Sequence, residues 1–74
     1  MQVSVDSHPY AVELGGVGFV VNAVRVRCES DALERAEEWE QFLGRETRSG
    51  RLVSLVAVRR WVGGEWVTVQ ETEY

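Results

Sequence analysis

Side chains able to perform acid–base or nucleophilic chemistry are scarce in this sequence. It contains one histidine, His8, one cysteine, Cys28, and no lysine. A general base or a nucleophile works with a second group that polarises it, and the sequence positions no such partner for His8. Cys28 falls on the apolar side of a predicted strand, where a free cysteine behaves as a small hydrophobic residue. We therefore predict a protein that is not an enzyme and has no catalytic residues. His8 and Glu13 are the only candidates should two subunits combine to build a pocket.

Phosphate, metal and disulfide chemistry are also poorly supported. The run Gly15-Gly16-Val17-Gly18 resembles a phosphate-binding loop, but it leads into a strand and not into a helix N-terminus. A single cysteine excludes an internal disulfide and a cysteine zinc cage. The glutamates on one predicted helix face are expected to be solvated, because metal sites draw ligands from several elements. We predict no cofactor and no metal. The glutamates concerned are Glu34, Glu37, Glu38 and Glu40.

Tryptophan and arginine near the C-terminus indicate a binding surface. Trp61 and Trp66 stand one step in from a predicted two-residue turn, where the side chains of a cross-strand pair approach closely. Tryptophan and arginine are enriched at interface hot spots, and this strand face is more apolar than solvent exposure favours. We predict a partner-binding face, with a symmetric homodimer as the simplest case and another protein as the second. Its residues are Trp61, Trp66, Arg59, Val53 and Leu55.

Arginines on the predicted sheet suggest nucleic-acid binding as the alternative function. Arginine beside aromatic residues on a sheet can hold phosphates and stack bases. The net charge of −4 argues against it, because duplex binding normally rests on positive charge. The arginines concerned are Arg25, Arg27, Arg59 and Arg60. An uncharacterised structural role is a further alternative.

The first element that would position these residues is a β-hairpin. Gly15-Gly16 is a two-residue turn that needs positive φ, flanked by alternating apolar residues. Apolar parity switches near residues 7–9 and 22–23, so residues 2–14 and 17–28 are predicted to form a long hairpin, kinked or bulged at that level. The alternative is a three-stranded meander of residues 10–14, 17–21 and 24–28. The predicted register sets Leu14 opposite Val17, Val12 opposite Phe19, Tyr10 opposite Val21, Val5 opposite Val26 and Val3 opposite Cys28.

A single helix is predicted over residues 31–43. Ser30 or Asp31 can cap it, Glu34 would complete a capping box with Asp31, and Gly44 is a natural terminating residue. Apolar residues recur at the spacing of one buried stripe. They are Ala32, Ala36, Trp39 and Leu43, with Leu33 and Phe42 on the flanks.

A second hairpin is predicted around Gly63-Gly64, joining residues 51–62 to 65–73. Its register sets Trp61 opposite Trp66, Arg60 opposite Val67, Arg59 opposite Thr68 and Val58 opposite Val69. One side is predicted to face the core and carries Val56, Val58, Val62, Val67 and Val69. The other side carries Val53, Leu55, Ala57, Trp61 and Trp66.

Together these elements predict one domain over residues 1–74. Its fold class is α+β, two-layered, in ββαββ order, with a curved antiparallel sheet of two long hairpins packed on the helix. Polar alternation directly after Met1 and an interrupted apolar stretch at residues 17–26 predict no signal peptide and no membrane span, and hence a cytoplasmic protein. All eight basic residues are arginine, isoleucine is absent and valine is abundant, which suggests a GC-rich bacterial or phage genome.

Overall fold

The computed structural model describes residues 5–74. Strands β1 (Tyr10–Gly16) and β2 (Phe19–Val26) are followed by helix α1 (Glu29–Trp39) and a single 3-10 turn (Glu40–Phe42). Strands β3 (Leu55–Val62) and β4 (Glu65–Glu73) complete the order. The four strands form one antiparallel sheet in the order β2-β1-β3-β4, and the helix packs against it. The predicted α+β class and the ββαββ order are confirmed.

The first hairpin turns two residues later than its glycines predict. Val17 and Gly18 form the turn, with Gly18 at φ 77°, and Gly16 pairs with Phe19 inside the ladder. The predicted Gly15-Gly16 turn and its register were therefore wrong. Gly15 is required for a different reason: a Cβ there would collide with the carbonyl oxygen of Phe19 and lie 3.0 Å from the Cα of Val20.

A bulge in β2 explains the switch of apolar parity on that strand. Val20 pairs with Gly15 and Asn22 with Leu14, so Val21 is the extra residue on its strand. Beyond the bulge Val12 pairs with Val24 and Tyr10 with Val26, in place of the predicted partners. β2 continues through residues 22–23, so the three-stranded meander is also wrong.

The first hairpin is shorter than predicted. β1 begins at Tyr10, and because Val26 pairs with Tyr10, the predicted pairing of Val5 with Val26 is wrong. In the predicted pair of Val3 with Cys28, Val3 lies outside the described residues. Cys28 itself follows the end of β2 and is exposed, so its predicted burial was wrong.

The helix begins before its predicted cap. Cys28 occupies the N-cap position without a side-chain cap hydrogen bond, and the Ala32 N–H donates to the Cys28 carbonyl at 3.1 Å. The predicted caps at Ser30 or Asp31 and the capping box with Glu34 were wrong. Gly44, at φ 85°, follows the helical segment and donates its N–H to the Val53 carbonyl.

The core lies between the helix and strands β1 and β3. Val12, Val56 and Val58 are fully buried on the sheet side. The predicted helix stripe is confirmed, with Ala32, Ala36 and Trp39 buried and Leu43 and Phe42 packed against the cluster. The Val53 side chain belongs to the same cluster. The Val53 N–H donates to the Arg45 carbonyl, which holds this loop residue near the end of the helix.

The second hairpin agrees more closely with its prediction. The Gly63-Gly64 turn is confirmed, as are the pairs Trp61–Trp66, Arg60–Val67 and Arg59–Thr68. Val58 pairs with Gln70 because a second bulge intervenes, so its predicted partner Val69 was wrong, and β3 begins at Leu55. The predicted core side holds for Val56 and Val58 but not for three valines farther out. Val62, Val67 and Val69 are 48%, 42% and 41% exposed. Val67 and Val69 lie on β4, an edge strand beyond those on which the helix packs, and Val62 is the last residue of β3, next to the turn.

Candidate binding surface

The helix lies on one face of the sheet, and the strand register defines the residues of the opposite face. Val12 and Val58 pair directly and face the helix, so their neighbours along each strand face away. No helix or strand of the described chain covers that side, which we call the open face. Across its centre lie Ala11, Glu13, Arg25, Ala57, Arg59 and Thr68, and at one end Trp61 and Trp66.

An ion pair crosses the middle of the open face. Arg59 on β3 donates its Nε–H to the Glu13 carboxylate on β1 at 2.6 Å, and both side chains are about one-third exposed. The Arg59 guanidinium also donates to the Thr68 hydroxyl on β4. Ala57, paired with Glu13 and Glu71, is fully buried at this level. Three adjacent strands are thus joined by one arginine.

We expect Arg59 and Glu13 to be energetically coupled. Partial burial shields the pair from solvent, so a double-mutant cycle of Arg59→Ala and Glu13→Ala should give a coupling energy of about 1 kcal/mol. The measurement is the free energy of unfolding in urea for the four proteins. Additive effects of the two substitutions would show that the pair contributes nothing to stability.

A tryptophan pair and a second arginine close one end of the open face. The Trp61 and Trp66 ring centroids are 5.2 Å apart at an interplanar angle of 68°, an edge-to-face contact. The Arg25 guanidinium lies 4.6 Å from the centre of the Trp66 ring. Arg25 and Trp66 belong to the two edge strands, so this contact spans the sheet and requires a concave open face. Beneath it lies a groove of about 480 Å³.

The end of the second hairpin is apolar on both of its faces. Trp61 and Trp66 lie on the open face, whereas Val62 and Val67 lie on the opposite side, where the helix does not reach. We call these four residues the hairpin tip. Val62 and Val67 are each more than 40% exposed, and both tryptophans are partly exposed.

The structure divides the predicted partner-binding set. Trp61, Trp66 and Arg59 come together on the open face, and Leu55 lies at its far end, next to Glu73. Val53 is separated from them, 5% exposed in the core under the helix. Sequence reasoning missed Val62 and Val67, whose alternation indicated a core side, and no sequence signal identified β4 as an edge strand.

The arginines predicted for nucleic-acid binding do not share one surface. Arg60 lies on the helix side of the sheet, 5.8 Å from the Tyr10 ring centre. Arg25 lies on Trp66, and Arg59 pairs with Glu13. Arg27 donates to the His8 ring at 3.3 Å.

Within residues 5–74, no three histidine, cysteine or acidic side chains are grouped so that they could hold a metal ion. His8 contacts the Ser7 hydroxyl and Arg27, and the Cys28 sulfur lies 3.3 Å from the Ser30 hydroxyl. No described helix has the length and apolar character needed to cross a bilayer.

The fold and surface define a class, a small α+β domain with one helix-free sheet face. No family model matches the chain, and neither the curated proteins nor the solved structures include a match to it.

Proposed function

We propose that this protein is a non-catalytic protein-binding module that pairs with a second copy of itself through the hairpin tip. The observation that supports this proposal is a hairpin end with apolar residues on both faces. Val62 and Val67 lie on one face, and Trp61 and Trp66 on the other. A partner that encloses the tip would remove apolar surface from water on both sides at once.

A second copy suits this surface for reasons of composition and symmetry. Tryptophan anchors with arginine beside them are typical of interface hot spots. A two-fold axis near the tip would bring identical valines together, and apolar surface is complementary to itself. β4 carries three glutamates, Glu65, Glu71 and Glu73, and charged residues on an edge strand disfavour strand-to-strand pairing along it. The proposal is therefore a side-chain contact at the tip and not an extended sheet.

From the arginine-rich, isoleucine-free composition, we infer that this is a small accessory or regulatory protein of a bacterium or phage that acts in the cytoplasm. Its activity would be protein binding, in which the dimer presents the rest of the open face, with the Glu13–Arg59 ion pair at its centre, to another protein. The scarcity of nucleophiles and bases supports a binding role over catalysis.

The proposal predicts a concentration-dependent dimer. Light scattering over a dilution series should give twice the chain mass at high concentration, and the indole fluorescence should shift to the red as the dimer dissociates and water reaches Trp61 and Trp66.

Replacing Trp66 by alanine should move the midpoint of dissociation to higher concentration by about tenfold or more, the effect of losing one hot spot. A monomer at every concentration would overturn the proposal. A monomer that also retards DNA in a gel at low salt would favour the nucleic-acid alternative.

A further inference from the structure

A second concavity lies on the helix side of the sheet, away from the hairpin tip. It has a volume of about 410 Å³ and is bounded by the β2 bulge, the end of the helical segment and the loop that follows. We call it the bulge groove. Its apolar lining consists of Leu14, Val21, Trp39, Phe42 and Val53.

The floor of the bulge groove is the protein core itself. Leu14, Trp39 and Val53 line it while being 6%, 8% and 5% exposed. Val21 is the extra residue of the bulge and is 48% exposed, so the bulge places an apolar wall where a regular strand would not. A site of this size with mostly apolar walls suits a small organic ligand.

Cationic side chains line the rim of the groove. Arg45 and Arg48 both border it, and the Arg45 guanidinium lies 5.8 Å from the Phe42 ring centre. Among residues 5–74, the Arg48 side chain has no hydrogen bond, ion pair or ring contact. The other seven arginines each contact an aromatic ring, a carboxylate or His8. Arg48 is thus the one arginine of the described chain without any of these contacts, and it lies beside the apolar walls.

We infer that the bulge groove binds a small amphipathic carboxylate, with its alkyl or aryl body on the apolar floor and its carboxylate at Arg48 and Arg45. A guanidinium pairs with a planar carboxylate through two parallel hydrogen bonds. Glu46 also borders the groove and lowers its net charge to that of one cation, which a single carboxylate would neutralise. This inference does not depend on the proposed dimer.

The experiment titrates the protein with octanoate, octanol and octylamine, which share one alkyl chain and differ in charge. The readout is the NMR shift of the Trp39 indole N–H at the groove floor. Octanoate should give a saturable shift and bind more tightly than octanol by about fivefold, the factor expected of one solvent-exposed charge pair. Octylamine should bind most weakly.

Matched variants assign the site. Arg48→Gln should remove the preference for octanoate over octanol, Glu46→Gln should strengthen octanoate binding, and Val21→Glu should abolish binding of both. Arg60→Gln, at the Tyr10 ring on another part of the sheet, should leave all three affinities unchanged. Equal affinities for the three probes, or an octanoate preference that persists in Arg48→Gln, would overturn the inference. The chain mass is measured in the same samples, so failure of this site is distinguishable from failure of the dimer.

Discussion

Replacing Gly15 with asparagine is expected to destabilise the protein by about 3 kcal/mol or more, a large fraction of the stability of a domain this small. Gly15 lies in a central strand next to the β2 bulge, and a Cβ there would collide with the Phe19 carbonyl oxygen. Because the obstacle is backbone, the strands must separate before any side chain fits. Urea denaturation of the variant measures the loss, and a protein too unstable to fold meets the same expectation.

The matched control is the same substitution at Gly18. Gly18 has φ 77°, a Cβ added there would have nothing within 4 Å, and asparagine tolerates that backbone conformation. Gly18→Asn should therefore cost about 1 kcal/mol or less. With a turn at Gly15-Gly16 the ranking would reverse, since asparagine would then suit Gly15 and Gly18 would lie within a strand. The order of the two variants thus tests the register of the whole first hairpin.

The contrast between the two hairpins shows how far a sequence pattern determines a register. At Gly63-Gly64 the sequence offers one pair of glycines, and both have positive φ, at 59° and 86°. In the first hairpin three glycines within four residues offer two turns, and local pattern cannot choose between them. The choice depends on long-range packing, because β1 is also paired with β3 and Gly16 lies close to the Leu52 carbonyl oxygen.

For the helix, the buried face was predictable from the sequence and the first residue was not. Its buried stripe was predictable from spacing, because three buried residues on one face leave little freedom of rotation. Its start was not predictable, because the first turn follows directly from the end of β2, and the Cys28 carbonyl accepts the first intrahelical bond without a capping side chain. The position of the helix start is therefore set by where β2 ends and not by the residues that prefer the N-cap position.

In the candidate site too, local contacts were predictable from the sequence and long-range contacts were not. Adjacent strands bring Trp61 to Trp66, and a turn fixes that pair locally. Arg25 reaches Trp66 across two intervening strands, which depends on sheet order and curvature. Val53 was assigned to the wrong surface because its alternation was extended from β3 into a loop that enters the core.

Arginine use explains why this acidic protein has few free cations. Five arginines lie over aromatic rings, at 4.6 to 5.8 Å from the ring centres. A guanidinium covers an aromatic face while keeping its edge hydrated, and lysine does so less well. In a domain with a small core, such contacts shield aromatic surface that a larger protein would bury. Most of the arginines are therefore engaged in contacts within the chain, which weakens the nucleic-acid alternative. Arg48 differs from them in having no such contact.

Replacing Val67 with aspartate is expected to convert the proposed dimer into a monomer. Val67 lies at the hairpin tip and is 42% exposed, so a single chain accepts the charge with little loss of stability. In a two-fold dimer each substitution acts twice, and burying two unpaired carboxylates should raise the dissociation constant by a hundredfold or more, equivalent to about 3 kcal/mol. Val17→Asp is the matched control, because Val17 is 95% exposed at the turn of the first hairpin. Sedimentation velocity should show a monomer for Val67→Asp and an unchanged dimer for Val17→Asp, with equal unfolding midpoints measured at concentrations where both are monomeric. Dimers of equal affinity in both variants would exclude the hairpin tip as the interface.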